Sequence, residues 1–244
     1  MAKRTLGCKF DPQDERDFTF QAGRVKLPST VNNKRFVTSI KDQGNEGACT
    51  GFAAAKAVEV AFWKKLPKKT KKTQPNLSER WAYEFAKEHD EWPGSNYEGS
   101  SVRGALKALF KAGVCPEPFW PYIPNKKGRA KKDAAEEALK YKITAYSRIV
   151  GVRNVKAALL KKGVVVASAM VHRGWWNPTK SRGVIRFNAR WPQEGGHAFV
   201  ICGYTKQGFI IANSWGTRWG KKGFAILTYK DAALNLIDTW TISI

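Results

Sequence analysis

The chain has 244 residues, 43% of them hydrophobic, enough to bury one or two compact cores without help from disulfides. Its 43 Lys and Arg against 20 Asp and Glu give a formal charge of +23, a large imbalance that fits an anionic context. Four widely spaced cysteines (Cys8, Cys49, Cys115, Cys202) exclude a disulfide framework or a zinc-ligand spacing.

Residues 1–26 form a polar N-terminal extension containing D-P-Q-D-E-R-D-F at 11–18. It turns polar too soon for a signal peptide, and no apolar run in the chain approaches the roughly 18 residues of a membrane helix. Synthesis for the cytoplasm, or export by a route that needs no such signal, is the expectation. Helical spacing of apolar residues follows at 49–66, 78–89, 101–112 and 153–162, with Asn76 or Ser78 and Ser100 or Ser101 as N-caps and Gly113 and Gly163 as stops. From residue 143 β-branched and aromatic segments dominate, predicting strands at 143–150, 164–171, 183–188, 197–204, 208–213, 223–229 and 238–243. The expectation is a single unit over 27–244, with a helical half at about 40–140 and a sheet or barrel half at about 141–244.

Two basic runs, at 64–72 and 126–132, carry Pro or Gly and read as exposed loops. One reading is a solvated face. The other is a polyanion partner held by phosphate attraction without base readout, since no base-reading helix collects the charge. Oligomeric state is not encoded legibly.

Residues 43–52 read Q-G-N-E-G-A-C-T-G-F, and downstream come H-A-F-V-I-C-G-Y at 197–204 and N-S-W-G-T-R-W-G-K-K-G-F at 213–224. Cys49 opens an apolar, Ala-rich helical run, where the positive end of the helix favours thiolate over thiol. His197 and Asn213 flank the two arms of an apolar hairpin at equal distance from Thr205, which predicts that imidazole and carboxamide meet across the strands. An amide beside an imidazole fixes its tautomer and leaves it free to pair with a thiolate. Gln43, six residues before Cys49, can aim its amide at a tetrahedral oxyanion, with the Cys49 N–H as second donor. Taken singly, a Cys on an apolar helix is core filler and a His opening a strand is structural. Thiol, imidazole, two amides and the Gly-rich approach together point to nucleophilic catalysis.

These segments resemble the papain-like (C1) cysteine peptidases. Q-G-x-C-G-S-C-W-A-F is similar to 43–52, H-A-V-x-x-V-G-Y to 197–204 and N-S-W-G-x-x-W-G-x-x-G-Y to 213–224. Asn76-Leu77-Ser78-Glu79 resembles the L-S-E helix start, and 114–122 resembles the E-x-x-Y-P-Y stretch. The resemblance implies an α+β fold whose helical and β halves face each other across a cleft. Cys49 is then the nucleophile, His197 the acid and base, Asn213 its orienting residue and Gln43 the oxyanion donor. Gly99, Ser100 and Ser101 line the substrate side with Ala198, Ala169 is a further floor position, and Leu234 or Leu236 lies near the pocket's end. Trp215 shields the His–Asn hydrogen bond. No metal or cofactor is implied.

The departures are specific. Glu46 stands where a disulfide cysteine braces the site of secreted relatives, so the brace is expected from packing, and a carboxylate near the thiol would raise its pKa. Thr50 replaces the aromatic after the nucleophile, and a serine replaces one of the paired glycines. The extension is too short for the long inhibitory propeptide of those relatives. One reading places its acids, with Phe18 and Phe20, on the domain near the cleft, where the aromatics can bury and the segment tempers activity; the other is a mobile tail. The reading is a cysteine endopeptidase acting on polypeptides through a Cys49 acyl-enzyme. The alternatives are an isopeptide or amide hydrolase, an effector-type peptidase, or a catalytically quiet basic binding module.

Overall fold

The computed structural model describes residues 4–67, 74–92, 94 and 96–244. Part of the first lysine run, at 68–72, lies outside the described residues. Three helices build one wall: α1 (Cys49–Lys65), α2 (Glu79–His89) and α3 (Val102–Lys111). α1 is buried on every side through Val60, because Ala53, Ala54, Ala55 and Ala57 let α2 and a sheet strand approach closely. Ser78 caps α2 by accepting from Trp81 N–H at 3.0 Å, and Ser101 caps α3 by accepting from Gly104 N–H at 3.0 Å. Two short helices, α4 (Ala134–Leu139) and a later α6 (Tyr229–Asn235), were not visible in the spacing, since six or seven residues hold too few turns for periodicity to register. α5 (Val152–Lys161) matches its expected position, and Gly113 and Gly163 stand just past the ends of α3 and α5.

The second wall is antiparallel. Strands β4 (Ala145–Arg148), β5 (Val165–His172), β6 (Gln193–Tyr204), β7 (Gly208–Ala212), β8 (Phe224–Thr228) and β9 (Leu236–Ser243) order as β4-β9-β5-β6-β7-β8, with β2 (Val31–Asn32) paired to β6. The order runs from β4 to β8 without closing, so this half is an open sheet and not a barrel. Residues 183–188 are not a strand. Only Val184 bridges, to Ile226, before the chain turns away at Asn188, whose side chain accepts from Arg190 N–H at 2.9 Å. A two-stranded parallel pair, β1 (Cys8–Lys9) with β3 (Ser100–Ser101), ties the N-terminal segment to the start of α3.

Alternation along β6 feeds two cores. Ala198, Val200 and Cys202 pack with α1, while Phe199 and Ile201 pack with Trp175, Trp215 and Trp219 on the other side. The sheet is therefore buried on both faces where it passes α1, and α1 packs directly on β6. This contact sets the site.

Candidate active site

Cys49 is the first residue of α1 and is fully buried, and no side chain caps that helix start. The positive end of α1 thus points unscreened at the thiol. Gln43 is clamped at both ends of its amide. Its Oε1 accepts from Ser214 Oγ at 2.7 Å, and its Nε2 donates to Glu46 O at 2.8 Å and, more loosely, to Thr5 O at 3.5 Å. Ser214 was not singled out in the sequence, although it lies inside the N-S-W-G run.

His197 Nε2 pairs with Asn213 Oδ1 at 2.7 Å, and the same oxygen accepts from Ser214 N–H at 2.8 Å. The two side chains are not directly opposite. Val200 pairs with Ala212, so Asn213 continues opposite Phe199, and His197 reaches it diagonally on the same face. The Trp215 ring lies 4.6 Å from the imidazole centroid and stacks in turn on Trp176 at 5.2 Å, which covers the His–Asn bond from solvent.

Burial opposes ionisation of Cys49. Hydrogen bonding from Cys8 and from His197, the His197 charge and the Ala198 N–H outweigh it, and hold the thiol well below its ordinary range. The proton of the two-thiol pair stays on Cys8, whose pKa is pushed up chiefly by its hydrogen bond to Cys49 and by burial.

Glu46 is turned away from the thiol. Its carboxylate receives Arg80 in a bidentate pair at 2.6 and 2.7 Å, Tyr122 Oη at 3.0 Å and Asn125 N–H at 2.9 Å. Burial pushes its pKa up, but the Arg80 and Asn125 hydrogen bonds and the Arg80 charge bring it below the usual carboxylate range. Arg80 also reaches Glu84 at 3.0 Å and Ile123 O at 2.7 Å. The brace expected from packing is a buried ion-pair network, and the feared effect of Glu46 on Cys49 does not arise.

On the substrate side Ser100 N–H donates to Gly7 O at 3.0 Å, whereas the Ser101 hydroxyl is committed to capping α3. Ala198 is fully buried behind Cys49, and Ala169 pairs with Leu236, while Leu234 is exposed. What occupies the cleft is the chain's own N-terminal segment. Arg4 forms a bidentate pair with Asp42 at 2.7 and 2.9 Å, and Thr5 Oγ1 donates to Asn45 O at 2.7 Å. The Gly7 backbone comes so close to its surroundings that a Cβ on Gly7 would sit 2.3 Å from Gly47 O, and one on Gly99 (φ +92°) 2.2 Å from Gly7 O. On the opposite wall a Cβ on Gly196 would meet Cys8 O at 2.1 Å. Lys9 then extends over the Tyr97 ring at 3.6 Å and the Trp92 ring at 4.5 Å.

The acidic stretch at 11–18, expected near the cleft, lies one step beyond it. Asp11 accepts from Arg103 N–H at 2.8 Å, Asp14 from the Arg103 guanidinium at 3.1 Å, and Asp17 faces Arg148 at 3.5 Å. Phe18 is 80% exposed, so only Phe20 packs as expected. The sequence offered no signal for residues 4–9, because their seat is made by glycines at 47, 99 and 196, far apart in the chain.

The profile described as papain family cysteine protease matches residues 27–240. An uncharacterized peptidase C1-like protein of Acanthamoeba polyphaga mimivirus is 29% identical, covering 98% of this chain and 83% of that protein. Cathepsin K of Mus musculus is 28% identical over 84% of this chain and 60% of its own length, so the chain spans about three fifths of that relative. Among solved structures, the cysteine protease xylellain from Xylella fastidiosa superposes with a TM-score of 0.84 at 27% identity, covering 100% of this chain and 98% of that one. Among the described residues no helix is long and apolar enough to cross a membrane.

Proposed function

The chain belongs to the papain family of cysteine proteases, and we propose that it cuts peptide bonds in polypeptides through a thioester on Cys49. The thiolate attacks the scissile carbonyl carbon, and the resulting oxyanion is held by the Gln43 amide and the Cys49 N–H. His197, protonated in the ion pair, gives its proton to the leaving amine as the tetrahedral adduct collapses to the thioester. Water then loses a proton to His197 while attacking the thioester. A second oxyanion forms in the same place and collapses to release the carboxylic acid and regenerate thiolate and imidazolium. Asn213 holds the imidazole in orientation throughout, and Ser214 and Glu46 O keep the Gln43 amide aimed before any substrate arrives.

One observation supports this reading above the others: a clamped amide, a helix-start thiol and an oriented imidazole converge on one point. A binding module has no use for a thiol held well below its ordinary pKa. The first test is Cys49→Ala assayed on a quenched peptide library, with far-UV circular dichroism as the folding control. Loss of all cleavage with the fold retained supports the role, and residual cleavage at the original rate removes it. The same library run on isopeptide-linked and simple amide substrates separates the endopeptidase reading from hydrolysis of those bonds.

A further inference from the structure

Cys8 is buried, runs parallel to Ser100, and has its backbone wedged between Gly196 on the β wall and the Gly7 contacts with Gly47 and Gly99 on the helical wall. Cys8 and Cys49 are buried in one core cluster, so the segment brings a second thiol to the candidate nucleophile. Such a pair can be oxidised.

We propose that Cys8 and Cys49 form a reversible disulfide that removes the nucleophile and staples residues 4–9 into the cleft. Its inhibitory effect rests on the proposed role of Cys49, whereas the bond itself does not. The oxidant is a small disulfide such as oxidised glutathione. With the segment displaced, the Cys49 thiolate attacks one glutathione sulfur, forming a mixed disulfide and releasing the first glutathione. Attachment removes the negative charge on Cys49 that kept the proton on Cys8. Cys8, returning to its glycine-lined seat as the thiolate, attacks the Cys49 sulfur and releases the second glutathione. Two protein thiols are oxidised to one disulfide, one glutathione disulfide is reduced to two thiols, and the two protons pass to the glutathiones.

The geometry selects this pairing over the others. Cys115 and Cys202 are free and buried, and burial pushes both up to about 12, so neither supplies thiolate at neutral pH. Cys8 is held beside Cys49 by backbone contacts on both walls, which gives the second step a high effective concentration.

The test equilibrates the full chain in buffers of graded reduced-to-oxidised glutathione ratio, followed by non-reducing digestion and mass mapping. The expected product is a peptide linking Cys8 to Cys49, with activity lost over the same range of ratios and restored by dithiothreitol. Cys8→Ser should carry glutathione on Cys49 instead. Gly7→Ala, whose Cβ pushes against Gly47, should lower the linked-to-mixed ratio by about tenfold. A wild-type chain that accumulates glutathione on Cys49 with no linked peptide overturns the proposal, as does linkage through Cys115 or Cys202. If the link forms but the reduced chain cleaves no peptide, the disulfide stands and the proposed hydrolysis fails.

Discussion

Cys49 and His197 are fully buried in α1 and β6, elements whose neighbours are other elements, while residues 4–9 reach the same point on glycine contacts and polar bonds at their ends. Removing a wall residue leaves a buried charge or a cavity. Removing a contact of the cover leaves a solvated group, because the Arg4–Asp42 pair is half exposed at Asp42 and such pairs contribute only about 0–1 kcal/mol. The backbone bonds of the short β1–β3 pair, Ser100 N–H to Gly7 O at 3.0 Å among them, add roughly 1 kcal/mol net each. The contrast teaches that the candidate catalytic side chains sit in the packed walls, whereas the segment over them is held by backbone approach and partly exposed polar bonds.

The sharpest break in the contrast comes from the wall. Cys49→Ser keeps the volume of the thiol but should lower kcat/KM by roughly 10⁴-fold or more, read on a fluorogenic peptide, because the hydroxyl is not ionised at neutral pH. Arg80→Ala strands Glu46 without its buried counter-charge, while Glu84 keeps Lys87 at 2.9 Å, and should cost about 3–5 kcal/mol in urea unfolding. A loss under about 1 kcal/mol would mean that the brace beside Cys49 is ordinary packing. Gln43→Ala should lower kcat by roughly 10²-fold with KM little changed, since an oxyanion donor acts chiefly in the transition state. Asn213→Ala should be milder, because Trp215 still covers the imidazole.

Changes in the cover should act in the other direction and be smaller. Gly7→Ala is expected to raise kcat/KM by about tenfold in reducing buffer while leaving urea unfolding within about 0.5 kcal/mol. The pH dependence of the cover runs through Asp11. Burial raises its carboxyl to about 6, against the pull of Ser101 and Arg103 hydrogen bonds and with the help of the Asp238 charge. The seated segment thus prefers Asp11 protonated. That contribution is fully present below the ordinary value of 3.8 and is lost as pH rises through about 6. The groups facing it are Arg103 from α3, Ser101 from β3 and Asp238 from β9. The ratio of wild-type to Asp11→Asn kcat/KM should rise between pH 4 and pH 6.5, and a flat ratio would remove Asp11 from the control of the seat.

Much of the site was legible because local chemistry announces it. Cys49 with its Ala-rich run, the hairpin from His197 to Asn213 and the spacing of Gln43 each satisfy a short-range rule, and α1, α2, α3 and α5 fall within a few residues of their expected bounds. The diagonal register of His197 and Asn213 was not legible, since the irregularity between Ile201 and Gly203 shifts a pairing that symmetry about Thr205 leaves unshifted. The Glu46–Arg80 pair joins residues 34 positions apart and shows in sequence only as a missing cysteine. The cover was misplaced by a few residues because the acids at 11–18 advertise an ion-pair role, whereas residues 4–9 are seated by backbone approach to distant glycines, which leaves no periodicity.

The central claim is that a complete nucleophilic site stands ready beneath a removable segment, and the rate of irreversible labelling by an epoxide thiol inhibitor measures both halves of it. Reduced full-length chain and a chain lacking residues 1–9 are treated in parallel, and the adduct is mapped by mass spectrometry. The account predicts a single adduct on Cys49 in both, forming at least about tenfold faster without the segment. Equal rates in the two chains, or an adduct on Cys8, Cys115 or Cys202 in place of Cys49, would contradict it.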